Sequence, residues 1–203
     1  SSEYLFTQFR VILTYLRLLF WPTGQNLDYQ YPLFRSLLSA EVLAGFLILI
    51  LIITVGFVLM RKAKTSPNEA SHTLRFLAFM VWAFLLSLIP ESSIFPIADV
   101  IFEHRMYAPS VWFFIVVSFL FCLILLKIFS RRRFGSIYIV IISFSLIFLL
   151  TGATFARNKV WGNTLTLWRD VVEKSPQKAR PRQNLAKALN DLGQYRVALT
   201  DME

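Results

Sequence analysis

Ala40 to Met60, AEVLAGFLILILIITVGFVLM, carries no charge after Glu41. As a helix, its 21 residues reach roughly 30 Å at about 1.5 Å each, the thickness of a bilayer's hydrocarbon core. The stretch reads as a transmembrane helix. Arg61, Lys62 and Lys64 follow at once, which marks that end as cytoplasmic because loops on the cytoplasmic side are enriched in Lys and Arg.

The same reading extends along the chain. A second span is expected over about 73–89, ending at Pro90, where a missing N–H and the ring clash interrupt a helix. A third runs over about 110–129, followed by Arg131, Arg132 and Arg133, and a fourth over about 135–155. Basic loops after the first and third spans place both chain ends, and the loop between spans two and three, on the outer face. The expected localisation is therefore an inner or plasma membrane or its equivalent.

Composition agrees. The chain of 203 residues is 56% hydrophobic with twenty phenylalanines, too apolar for a soluble domain of this size. Its formal charge of +9 sits largely in short clusters beside apolar runs. Membrane topology accounts for those clusters, so nucleic acid is not an expected partner. The single cysteine, Cys122, allows neither an intrachain disulfide nor a cysteine metal site. The sequence holds no glycine-rich phosphate loop, zinc spacing or Ser/His/Asp arrangement, and so implies neither metal nor cofactor.

The first segment differs from the spans. Over residues 4–20, Thr7, Arg10, Thr14 and Arg17 recur at intervals of three and four, giving a polar stripe on an apolar helix. An interfacial helix is expected, its arginines snorkelling to headgroups, followed by an outer loop. Domain boundaries accordingly fall at 1–39, 40–156 and 157–203.

After Ala156 charges appear on most turns and apolar residues at helical spacing. With Ala179 as first position, Leu185, Ala186, Gly193, Tyr195 and Ala198 match the thirty-four-residue tetratricopeptide pattern, and Pro176 and Trp168 match the end of a preceding unit. Such repeats bind proteins or peptides on a concave face. About three units or a cap are needed for a continuous core, so the chain is expected to be a portion of a longer polypeptide. The fold class is all-α: about four spans plus an interfacial helix, then tetratricopeptide hairpins.

Function is sought where charge gathers between apolar runs. Residues 94–109, IFPIADVIFEHRMYAP, place Asp99, Glu103, His104, Arg105 and Tyr107 together, and ionised groups near hydrocarbon need a partner or a water path. This stretch, LRLLFWPTGQNLDYQYP (16–32) and the passage from the last span through RNKVWGNTLTLWRDVVEKSP into repeats resemble the membrane-embedded O-mannosyltransferases with C-terminal tetratricopeptide repeats. The resemblance covers most of the chain from Tyr15. It implies a polyprenyl-phosphate sugar donor, a protein acceptor on the outer face, and a catalytic aspartate in an outer loop upstream of Ser1, so that no catalytic residue is assigned within this chain.

Arg105 suits the donor phosphate, since a guanidinium forks onto phosphate oxygens and stays charged. Glu103 would orient it or bind sugar hydroxyls, Tyr107 would donate to phosphate, and His104 would assist. The plainer alternative is an ion pair capping the third span with Tyr107 in the aromatic belt. Asp99, Asp28 and Glu91 are weaker candidates; Asp28 reads first as a turn former and Glu91 first as a helix-start carboxylate, each ahead of a chemical role. A rival function stays open throughout: a non-catalytic membrane anchor presenting tetratricopeptide repeats to a larger complex.

Overall fold

The structure, a computed structural model, describes residues 2–90 and 99–193. Every regular element among them is helical: α1 (Ser2–Phe20), α2 (Ala40–Thr65), α3 (Asn68–Leu88), a 3-10 turn (Glu103–Met106), α4 (Tyr107–Phe129), α5 (Gly135–Trp161), α6 (Thr164–Lys174) and α7 (Ala179–Asp191). Four segments are long and apolar enough to cross a membrane: α2, α3, α4 with its preceding turn, and α5. The protein is thus membrane-embedded and, over the described residues, all-helical.

The observed helices outrun the expected spans. α2 carries Arg61, Lys62 and Lys64 inside its last turns, because long basic stems let a helix continue into the headgroup layer. Ser66 is its C-cap, and Pro67, which cannot extend a helix backwards, opens α3 five residues before Thr73. α5 likewise continues beyond Phe155 to Trp161.

The described residues form two compact units, one within Ser1–Gln25 and Tyr31–Phe119, the other within Asn26–Gln30 and Leu120–Glu203. In the first unit α1 packs on α2 where Gly45 has no side chain: a Cβ there would overlap the carbonyl of Phe9. Small residues allow such close helix approach in lipid. Gly56 similarly meets Trp82, whose ring lies edge-on to Phe57 at 4.9 Å, and Ser71 Oγ donates to Ala63 O at 2.6 Å across the α2–α3 turn. Phe20–Phe113 and Phe79–Trp112 ring contacts join α4 to α1 and α3.

The polar stripe of α1 does not face headgroups alone. The chain after Phe20 doubles back along the helix: Arg17 Nη1 donates to Thr23 O, Thr14 Oγ1 and Tyr31 Oη share a hydrogen bond at 2.9 Å, and Phe34 N donates to Thr7 Oγ1 at 2.9 Å. Arg10 donates to Thr14 and its guanidinium lies over the Tyr31 ring. Thr7 and Thr14 are buried. The stripe thus holds the following loop, a partner that helical periodicity alone does not reveal.

In the second unit α6 and α7 form an antiparallel hairpin around Leu185, Ala186 and Leu189, packed against Leu165, Trp168 and Val172. Asn163 caps α6 by accepting from Leu165 N. Asp170 accepts from Arg157 at 3.0 Å and from Lys174 at 2.6 Å, fixing the end of α5 against α6. α7 starts at Ala179, where the repeat register placed its first position, while Tyr195 and Ala198 lie outside the described residues. None of the apolar window of α5 is buried by protein, leaving its Phe and Leu side chains for hydrocarbon.

Candidate functional site

The Glu103–Tyr107 segment is held from below by α1. Tyr15 Oη donates to Phe102 O at 3.0 Å and accepts from Phe102 N at 3.2 Å, and Gln8 Nε2 donates to Val100 O at 3.1 Å. An extended residue at Phe102 then gives way to the 3-10 turn, closed by Arg105 N donating to Phe102 O at 3.2 Å. Pro109, third in α4, costs no hydrogen bond there because first-turn N–H groups lack helical partners.

The side chains do not converge on one surface. Arg105 is only 6% exposed, with its guanidinium 5.3 Å from the centroid of the Phe102 ring, on which the His104 ring also stacks at 5.1 Å. Tyr107 is 77% exposed, His104 is exposed, and Glu103 and Asp99 are half-buried. A rim arginine open to a bilayer-borne anion was expected at Arg105. In this conformation its charge is instead covered, because the turn folds it onto the aromatic ring three residues back. Glu91 lies outside the described residues.

A second feature lies one to two turns along α4. A cavity of about 560 Å³ is bounded by α1, α2, α3 and α4, among them Leu16, Ile52, Phe84, Trp112 and Val116. Its lining is apolar except for Arg17. Volumes of this order are usual for small-molecule sites. Trp112 follows Arg105 by seven residues, about 10 Å of helix rise. Arg17 is exposed, and among the described residues its guanidinium makes one hydrogen bond, to Thr23 O at 2.9 Å. Helical periodicity marks Arg17 as a snorkelling residue on the polar stripe, but does not mark the cavity beside it.

Asp28 belongs to another cluster, in the second unit. It is 3% exposed and accepts from Arg180 Nε at 2.6 Å, Arg180 Nη2 at 2.9 Å and Lys178 Nζ. The turn former is its neighbour Asn26, whose Oδ1 accepts from Asp28 N while its Nδ2 donates to Ser175 Oγ at 2.8 Å. Ser175 Oγ in turn donates to Asp28 O and accepts from Gln30 N. Burial pushes the Asp28 carboxyl up, but hydrogen bonds and attraction from Arg180 and Lys178 outweigh it and hold the group below the ordinary carboxylate value. Asp28 is therefore an ion-pair anchor for the loop at residues 26–30, and Lys178 and Arg180, which carried no sequence signal, are its partners.

Among the described residues no group of three or more His, Cys, Asp or Glu is arranged to hold a metal ion. Comparison of the chain with protein families, with curated proteins and with solved structures returns no match. The family resemblance accordingly rests on the quoted residues alone.

Proposed function

We propose that this chain is part of a membrane glycosyltransferase that moves a sugar from a polyprenyl-phosphate donor to a protein acceptor on the extracytoplasmic face, with α6 and α7 opening a tetratricopeptide array that recruits the acceptor or a partner. One observation carries the reading: the apolar cavity edged by Arg17 and placed along α4 from the Glu103–Arg105 turn. An isoprenoid chain is uncharged and branched, and a dry apolar cavity between helices suits it. Arg17 then takes the phosphate through a guanidinium whose remaining N–H groups are open to an anion.

In this proposal Arg105 orients the turn through Phe102, and Glu103 or His104 meets the sugar. The base that deprotonates the acceptor hydroxyl comes from the upstream aspartate that the resemblance implies. The outer-face assignment is supported by the basic runs at Arg61–Lys64 and Arg131–Arg133.

The second reading, a non-catalytic anchor that presents repeats to a complex, is favoured by the burial of Arg105. Binding of polyprenyl phosphate to the intact polypeptide separates the two. The enzyme reading expects saturable binding that Val116→Trp, which fills the cavity, reduces at least tenfold; absence of binding, or binding indifferent to that substitution, leaves the anchor.

A further inference from the structure

The opposite end of the α2–α3 hairpin carries a second cavity, of about 400 Å³, lined by Met60, Ala63, Lys64, Arg75, Ala78, Phe79 and Trp82. Its walls are apolar and its charged members are both cations, one from each helix. Lys64 and Arg75 make no hydrogen bond or ion pair among the described residues, and both are exposed. The nearest acid in sequence, Glu69 in the first turn of α3, is not in the lining. Arg75 and Trp82 are seven residues apart on α3, so the cavity runs about 10 Å from the cations into the apolar body of the hairpin.

Two unpaired cations at the mouth of a hydrocarbon-lined slot define a ligand with an anionic head and an apolar tail. We infer that this is a binding site for an anionic phospholipid, the phosphate between Lys64 and Arg75 and one acyl chain along Met60, Ala78, Phe79 and Trp82. The slot opens on the sides of membrane-spanning helices, where Met60 and Phe79 are exposed. Acyl chains are the solvent there, whereas a soluble peptide would have to enter the bilayer to reach it. Basic pockets between transmembrane helices bind acidic headgroups in this way. The site is separate from the Arg17 cavity and does not depend on the glycosyltransferase reading.

Trp82 supplies the probe. The protein is reconstituted in phosphatidylcholine bilayers containing a rising fraction of brominated phosphatidylglycerol, and quenching of Trp82 is taken as the difference between parent and Trp82→Phe. Quenching should saturate at a low fraction of the acidic lipid. Each cation contributes about fivefold, so Lys64→Gln should shift saturation by about fivefold and Lys64→Gln with Arg75→Gln by about thirtyfold. Arg61→Gln with Lys62→Gln removes the same charge outside the slot and should shift nothing. Equal quenching by brominated phosphatidylcholine, equal shifts in the two double variants, or displacement of the lipid by inorganic phosphate alone would overturn the assignment.

Discussion

Replacing Asp28 by Asn removes a charge that three hydrogen bonds from Arg180 and Lys178 converge upon. A hydrogen bond to a charged group contributes about 1.5–3 kcal/mol, but these three share one carboxylate and are not additive. The Arg180 side chain is 49% exposed and Lys178 30%. Both cations can therefore re-solvate when released, which keeps the cost below that of stranding a buried charge, about 3–5 kcal/mol. We expect about 2–3 kcal/mol, or roughly thirty- to 150-fold in the local opening equilibrium. Amide exchange followed by mass spectrometry reads this directly, since Gln30 N and Asp28 N donate within the cluster. Residues 26–30 and the first turn of α7 should lose protection by that factor, and α2 should not. Arg180→Gln added to Asp28→Asn should cost little more, because the pair acts as a unit. Unchanged protection in Asp28→Asn, or full additivity of the two substitutions, would refute the argument that Asp28 anchors the loop.

Other consequences follow from the same geometry. Gly45→Ala places a methyl against the backbone of Phe9 and should destabilise α1–α2 packing by about 1–3 kcal/mol, measured as slower cross-linking between cysteines at Phe9 and Phe46. Tyr15→Phe leaves the N–H and carbonyl of Phe102 without their hydroxyl partner, at a cost of about 1–3 kcal/mol, read as increased exchange at residues 101–105. For pH, Asp28 and Asp170 both sit below the ordinary carboxylate value in the folded protein. Their contribution is present above the unfolded value near about 3.9 and is lost as pH falls through the lower folded values. The α6–α7 hairpin should thus hold down to about pH 4 and lose helicity below it, and Asp28→Asn with Asp170→Asn should flatten that acid limb.

How much of this could be read from the residues varies with the range of the interaction. The apolar helices were legible because burial in lipid demands a continuous apolar length, and length is local in sequence. Their ends were not, since Lys62 and Lys64 extend α2 by snorkelling rather than terminating it. The helix through Leu185 and Leu189 was legible from spacing. The partner of the α1 stripe was not: nothing in Thr7, Arg10, Thr14 and Arg17 announces that Thr23, Tyr31 and Phe34 return to them. Asp28 reads as a turn former, whereas its carboxylate pairs with cations 150 and 152 residues away, beyond any local pattern. The Glu103–Tyr107 motif was legible as a cluster, yet the orientation of each side chain depends on a 3-10 turn and on Tyr15. That turn covers Arg105 and exposes Tyr107.

Sugar transfer itself tests the glycosyltransferase proposal most directly. The intact polypeptide in membranes, given a polyprenyl-phosphate sugar and acceptor protein, should form glycosylated acceptor. Arg17→Gln should reduce the rate about ten- to a hundredfold through loss of a charge-assisted phosphate contact, and Arg105→Ala should abolish transfer while leaving membrane insertion and the protection of residues 26–30 intact. Transfer by both variants at the parental rate, or none by the parent with any polyprenyl-phosphate sugar, would contradict it.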